Sequence, residues 1–354
     1  MIKIRKIVLV AFMAACLGLA RQAAAEVLVP MDLSQADHLK AYGLAYKVLK
    51  AGVNVEWLLN YRGGSFLFAE NEQFIRYARL MGVSYELAGP GQVAEIHGRI
   101  ERENMEVVLL EKAPKVAVYT PPNKSPWDDA VTMALAYAEV DYETIWDGEV
   151  MTGALEDYDW LHLHHEDFTG QYSKFYISYA GRDWYQEEVA RNTEMAQRFK
   201  FAKVWQLKHA VARRIADYVE KGGFLFGMCL AGETLDIALA AQDIDIVPPQ
   251  VDGDGLTANA QDRLDFSNCL AFENFLVQLN PTVNAFSSID GHQVNNPGLR
   301  QPLGYFKLFN FSAKYDPVPS LLIQNHTDYI KDFFGQSTSG LDRNTSNGCF
   351  LGRD

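Results

Sequence analysis

The amino-acid sequence predicts an α/β protein built on a doubly wound parallel sheet, and three observations carry that expectation. Short β-branched and aromatic runs alternate with longer stretches whose apolar residues recur every three to four positions. From residue 115 onward helices connect most of these runs, which is the rhythm of β-α-β units with right-handed crossovers. Ala113-Pro114 and Gly222-Gly223 punctuate the pattern where a strand is entered and a helix ends.

Residues 1–25 have the layout of an export signal. Lys3, Arg5 and Lys6 precede an apolar run over 7–20, and Ala23-Ala24-Ala25 supplies an A-x-A cleavage site. The run is too short to favour spanning a bilayer. Cys16 would anchor a lipoprotein, but Met13-Ala14-Ala15 is a poor lipobox, so cleavage after Ala25 is expected. The mature chain would then work outside the cytoplasm, periplasmic or secreted. Loss of Lys3, Arg5, Lys6 and Arg21 moves its formal charge from −13 to −17. An acidic field without any Lys/Arg cluster argues against nucleic acid as a partner. No later apolar run approaches membrane-spanning length. Cys229, Cys269 and Cys349 remain, an odd set that leaves at least one thiol unpaired and places the burden of stability on the core.

Residues 26–112 form an N-terminal α/β region. Strand 27–29, helix 34–50 and strand 53–59 predict one β-α-β unit with parallel strands. A helix over 71–81 and a mixed segment ending at 107–110 follow. The second domain spans 113–354 and opens with strand 115–119, helix 127–138 and strand 141–145. Further strands are predicted at 160–164, 224–228 and 320–324. The helix over 204–220 places Val204, Leu207, Val211 and Ile215 on one face. Five strands in this rhythm predict the flavodoxin-like order 2-1-3-4-5. Residues 252–315, rich in Asn, Pro and Gly, form an insertion, either a lid or a surface flap.

That order gathers the carboxyl ends of the third, fourth and fifth strands at one crevice. The residues there are His164, His165, Glu166, Asp167, Cys229 and His326. Neighbouring strands lie about 4.8 Å apart, so their end residues can converge. Cys229 stands between a strand and a helix starting near Ala231, the layout of a nucleophile elbow, in which a tight turn projects the nucleophile. Gly227 fits a G-x-C-x-G pattern, while Ala231 replaces its second glycine. The competing reading is a cysteine packed as a small apolar residue.

His164 or His165 could serve as base to the thiol, with Glu166 orienting the ring. The same residues with His326 could instead ligate zinc or a similar ion, or form a hydrogen-bonded loop cluster. His162, inside the strand, reads as structural. Arg62-Gly63-Gly64-Ser65 and Asp252-Gly253-Asp254-Gly255 read as turns rather than anion or calcium sites. Phe168, Tyr172, Phe175, Tyr176, Tyr179, Trp184 and Tyr185 form an aromatic loop suited to a sugar or peptide, part of it buried.

Val29-Pro30-Met31-Asp32, the run from Trp57 to Phe66, the segment 160–172 and Gln324-Asn325-His326-Thr327 together resemble an exported bacterial family often labelled asparagine synthetase B. The resemblance covers nearly the whole mature chain and implies a class I glutamine amidotransferase-like fold, which suits an elbow at Cys229. The synthetase activity of the label is not implied. It needs an N-terminal cysteine and an ATP pyrophosphatase loop, whereas Ile2 follows Met1 and cleavage would expose Glu26. The family continues through a Gly/His/Asp-rich segment where this chain stops at Asp354, which predicts a truncation. Three function classes follow: a thiol-dependent amide hydrolase using Cys229, a noncatalytic sugar- or peptide-binding domain, and a metal-dependent hydrolase centred on His164, His165 and Glu166. The ligand is a small molecule, peptide or glycan, and no cofactor is expected.

Overall fold

The computed structural model describes residues 25–122, 130–289, 321–324 and 349–352, the last two segments by backbone alone. The expected signal segment, Cys16 and His326 lie outside the described residues. The chain divides into two compact units, one of residues 25–113 with 134–140 and the other holding the rest.

In the first unit the elements are β1 (Glu26–Val29), α1 (His38–Lys50), β2 (Val55–Leu59), β3 (Ser65–Ala69), α2 (Glu72–Met81), β4 (Glu86–Ala88), α3 (Pro90–Arg102) and β5 (Glu106–Leu110). Local chemistry sets the helix ends. Asp37 caps α1 by accepting from the Lys40 N–H at 3.0 Å, Asn71 caps α2 by accepting from the Gln73 N–H at 2.8 Å, and α3 begins on Pro90.

The strands form one five-stranded sheet in the order β4-β1-β3-β2-β5, and every neighbour is antiparallel. This corrects the expectation of a parallel pair. β1 and β2 do run in the same sense around α1, but β3 lies between them, giving the split β-α-β-β-α-β arrangement with α3 and β5 added. The cause is the turn over residues 60–64. Asn60, Arg62, Gly63 and Gly64 all take positive φ, so β2 doubles back on β3 as a hairpin. At Gly63 a Cβ would come within 2.4 Å of the Met31 carbonyl oxygen, so glycine is required there. Arg62 is spent on ion pairs with Asp32 at 2.7 Å and Glu86 at 2.8 Å, which leaves this turn structural.

Both faces of the sheet are covered. Val27, Val29, Phe66 and Phe68 pack on Leu44 and Val48 of α1 and Phe74 of α2, whereas Leu28, Leu58 and Leu67 pack on Ile96 and Ile100 of α3.

The second unit contains β6 (Val116–Tyr119), α4 (Ala130–Ala138), β7 (Tyr142–Ile145), α5 (Asp147–Met151), β8 (Trp160–Leu163), α6 (Asp183–Arg198), α7 (Val204–Glu220), β9 (Phe224–Gly227) and α8 (Ala231–Ala240). Residues 134–138 of α4 group with the first unit. β6 to β9 form a four-stranded parallel sheet in the order β7-β6-β8-β9, so the direction of strand addition reverses between β6 and β8. Leu207, Val211 and Ile215 of α7 are fully buried with Leu161 and Leu163 of β8 and Leu235, Ala238 and Leu239 of α8.

Two expectations for this unit are corrected. β10 (Leu321–Gln324) pairs antiparallel with β11 (Cys349–Gly352) as a two-stranded ribbon, and among the described residues it is not a fifth strand of the parallel sheet. Residues 252–289 are not a surface flap. Phe272, Phe275, Phe286 and Ile289 bury a core of their own with Ile237 of α8. The Asp236 carboxylate fixes this segment by accepting the N–H groups of Leu270, Ala271 and Phe272 at 2.7–2.8 Å, which offsets the burial of its charge.

Candidate active site

β8 and β9 are parallel neighbours, and their pairing continues past the strand ends. The Met228 N–H donates to the Leu163 carbonyl at 3.0 Å and the Ala231 N–H to the His164 carbonyl at 3.1 Å. These bonds hold the residues after β8 against the turn that enters α8. In that turn Cys229 is exposed and adopts φ +50°, the left-handed region that L-residues enter at a cost of about 1–2 kcal/mol. A nucleophile elbow carries its reactive residue on such a strained strand-to-helix turn.

A ring nitrogen of His164, one of His165 and the Cys229 sulfur lie within 4.8 Å of one another. The two imidazoles stack with centroids 3.6 Å apart. His164 is half-buried and His165 exposed. His162, two residues earlier, is fully buried and stacks on Phe226 with centroids 5.6 Å apart, as a structural histidine should.

Glu166 stands outside this cluster of three. Its carbonyl accepts from the Thr234 hydroxyl at 2.8 Å, and its side chain lines a small cavity beside the histidines. Asp167 closes the loop by accepting from the Thr169 N–H at 2.7 Å, the Thr169 hydroxyl at 2.6 Å and the Ser173 N–H at 2.8 Å, while burial pushes its carboxyl above the usual carboxylate range.

The cavity, of about 30 Å³, is lined by Trp146, His165, Glu166, Asp167, Asn192 and Lys208 among others. It sits where β6 and β8 diverge, the switch point at which open α/β sheets gather ligands. Below it is a network the sequence reading missed. Lys208 donates to both Asp147 oxygens, at 2.8 and 3.1 Å, and lies 3.4 Å from the Tyr119 hydroxyl, which itself donates to Asp147. All three side chains are buried, and burial beside Asp147 raises the Tyr119 phenol far above its ordinary range. One signal was available: a lysine next to Leu207 in the otherwise apolar arc of α7 must have a buried partner.

A larger groove of about 430 Å³, lined by Asp159, Tyr218 and Lys221 among others, opens at the amino ends of the same strands, away from the thiol and the imidazoles. In the acidic turn at 252–255 the Lys203 ammonium reaches Asp254 at 2.8 Å and Asp252 at 3.6 Å. Burial, with Asp254 beside it, pushes the Asp252 carboxyl up to about 6.

The aromatic loop splits in two. Phe168, Tyr172 and Tyr185 are buried, whereas Phe175, Tyr179 and Trp184 are exposed, with Phe175 edge-to-face on Tyr179 and on Trp184, Trp184 tilted against Tyr179, and centroids 5.3–5.9 Å apart. No family model, no curated protein and no solved structure matches the chain, so the reading of this site rests on its own residues.

Proposed function

We propose that this chain is an exported thiol-dependent hydrolase of amides, with a class I glutamine amidotransferase-like second unit and Cys229 as nucleophile. The observation that supports this is one juxtaposition: an exposed cysteine in a left-handed strand-to-helix turn, its sulfur within 4.8 Å of imidazole nitrogens of His164 and His165. The strand order β7-β6-β8-β9 corresponds to 2-1-3-4 of the expected sheet and adds support.

In the proposed reaction an imidazole takes the thiol proton as the sulfur attacks the amide carbonyl. His165, which also lines the cavity, is the one a substrate reaches. The tetrahedral oxyanion is met by the Leu230 N–H, which donates to no group among the described residues. Collapse returns the proton to the departing amine and leaves a thioester on Cys229. Water, deprotonated by the same imidazole, then releases the acid and the free thiol.

The test is acyl transfer from p-nitrophenyl acetate. Wild type is expected to release a stoichiometric burst of nitrophenolate and to carry one acetyl group on Cys229, and Cys229→Ala to give neither. A wild type without burst or acetylation contradicts the reading.

A second reading has its own support, because His164, His165 and Cys229 also present two nitrogens and a sulfur at a spacing a zinc-like ion could draw together. Here Cys229 takes the place that the sequence reading gave to Glu166. Elemental analysis of the purified protein separates the two: stoichiometric zinc favours the metal, and its absence the thiol.

A further inference from the structure

We propose that the outer edge of strand β9 seats the substrate as an extended peptide paired along it, so that the hydrolase acts on peptide amides. The inference rests on the thiol reading for the reaction and on the strand's own geometry for the substrate.

β9 ends the order β7-β6-β8-β9, and among the described residues no strand lies on its far side. The N–H groups of Phe224 and Met228 donate inward, to the carbonyls of Asp159 and Leu163, each at 3.0 Å. In a parallel ladder successive residues alternate between the two sides of a strand, so the N–H and C=O of Leu225 and Gly227 point outward. Neither residue's N–H finds an acceptor among the described residues outside the β8 ladder. Native sheet edges are commonly blunted by charge, proline or a bulge, yet residues 222–232 contain no charged residue and no proline.

The side chains give this edge a preference. Leu225 packs on the core formed with α7 and α8. Phe224 and Phe226 stand on the other face, against Trp160 and His162 with centroids 6.1 and 5.6 Å apart, and are 59% and 38% exposed. An added strand lies about 4.8 Å to the side and places alternate side chains on that face, so apolar residues at every second position cover the phenylalanine rings.

Three observations select a substrate peptide as the occupant. The outward groups alternate donor and acceptor along the edge, a pattern that another extended backbone matches. The chain's own strand β10 is paired with β11, and a second copy brings the same formal charge of −13, which repels it and favours a neutral or basic partner. The edge also runs into the site. Cys229 follows Gly227 by two residues, at most about 7 Å of chain, so a peptide that continues past Gly227 brings an amide to the exposed sulfur.

The experiment uses the full chain carrying Cys229→Ala, with acetyl-Val-Lys-Val-Lys-amide as probe, followed by NMR. The peptide is expected to bind in the millimolar range and to shift the backbone N–H resonances of Leu225 and Gly227. Two derivatives, N-methylated on one or the other set of alternate amides, separate backbone pairing from apolar adhesion. The one methylated on the edge-facing amides should bind roughly 10-fold more weakly, the loss of two hydrogen bonds, and the other as well as the parent. No binding, unmoved Leu225 and Gly227 resonances, or equal binding of the two derivatives would overturn the proposal. So would protection of those two amides from hydrogen exchange in the free chain, since the edge is then taken by a second copy if the chain sediments as a dimer and by its own residues if it does not. The edge itself is left unaltered, so no readout depends on a variant that fails to fold. Absent peptide binding with wild-type Cys229 still acylated by p-nitrophenyl acetate defeats the peptide edge alone, whereas peptide binding with an inert Cys229 keeps the edge and removes the hydrolase.

Discussion

The N–H of Ala231 donates to the carbonyl of His164 at 3.1 Å, joining the residue that opens helix α8 to the one that follows strand β8. This backbone bond ties together the two strand ends that carry the imidazoles and the thiol. The juxtaposition is thus a property of two strand ends and one turn.

The left-handed backbone at Cys229 should cost stability that function retains. Glycine relieves it and alanine does not. Cys229→Gly is therefore expected to be about 1 kcal/mol more stable than Cys229→Ala, with both equally inactive. Urea denaturation midpoints check this, and equal midpoints would remove strain from the account.

The buried pair Lys208–Asp147 makes a second prediction. Lys208→Met leaves a carboxylate sealed away from water with, among the described residues, only the Tyr119 hydroxyl bonded to it, and should cost roughly 3–5 kcal/mol. Adding Asp147→Asn should recover much of that loss, because the stranded charge is gone. If the double variant is no more stable than Lys208→Met, the charge is not what the lysine offsets.

Much of the second unit was legible in the sequence because its signals are local. The strand from Phe224, the turn at Cys229 and the helix from Ala231 follow from neighbouring residues, as does the apolar face of α7 through Leu207, Val211 and Ile215. What was missed is nonlocal. Strand β3 follows Gly63-Gly64 directly, and its insertion between β1 and β2 depends on pairings such as Val27 with Phe68 that no local pattern encodes. Lys208 and Asp147 are separated by 61 positions, so neither announces the other. Strand 321–324 has strand character, but its partner is residues 349–352, and composition does not select between edges.

Acid stability gives a third prediction through His209, fully buried on α7, whose imidazole is pushed down to about 3 by burial. The folded chain keeps this ring neutral, while the unfolded chain protonates it near the ordinary value of 6.5. Between those values the unfolded state binds the extra proton, so stability falls as pH drops through the window. Near pH 5 the contribution is about 2 kcal/mol relative to neutral pH. In His209→Leu the fall between neutral pH and about pH 5 should be shallower by that amount. Parallel pH dependences of the urea midpoints for the two proteins would contradict it.

The central claim is that Cys229 is a reactive thiol served by the histidines beside it, and its most direct test is the rate of alkylation by iodoacetamide at each cysteine, followed by mass spectrometry. Cys269 is the internal reference, buried with its sulfur directed at the Asp236 carbonyl at 3.3 Å. Cys229 should label at least ~10-fold faster than Cys269 and slow in His164→Ala or His165→Ala. Labelling of Cys229 no faster than Cys269, or a rate that neither histidine substitution changes, would contradict the account.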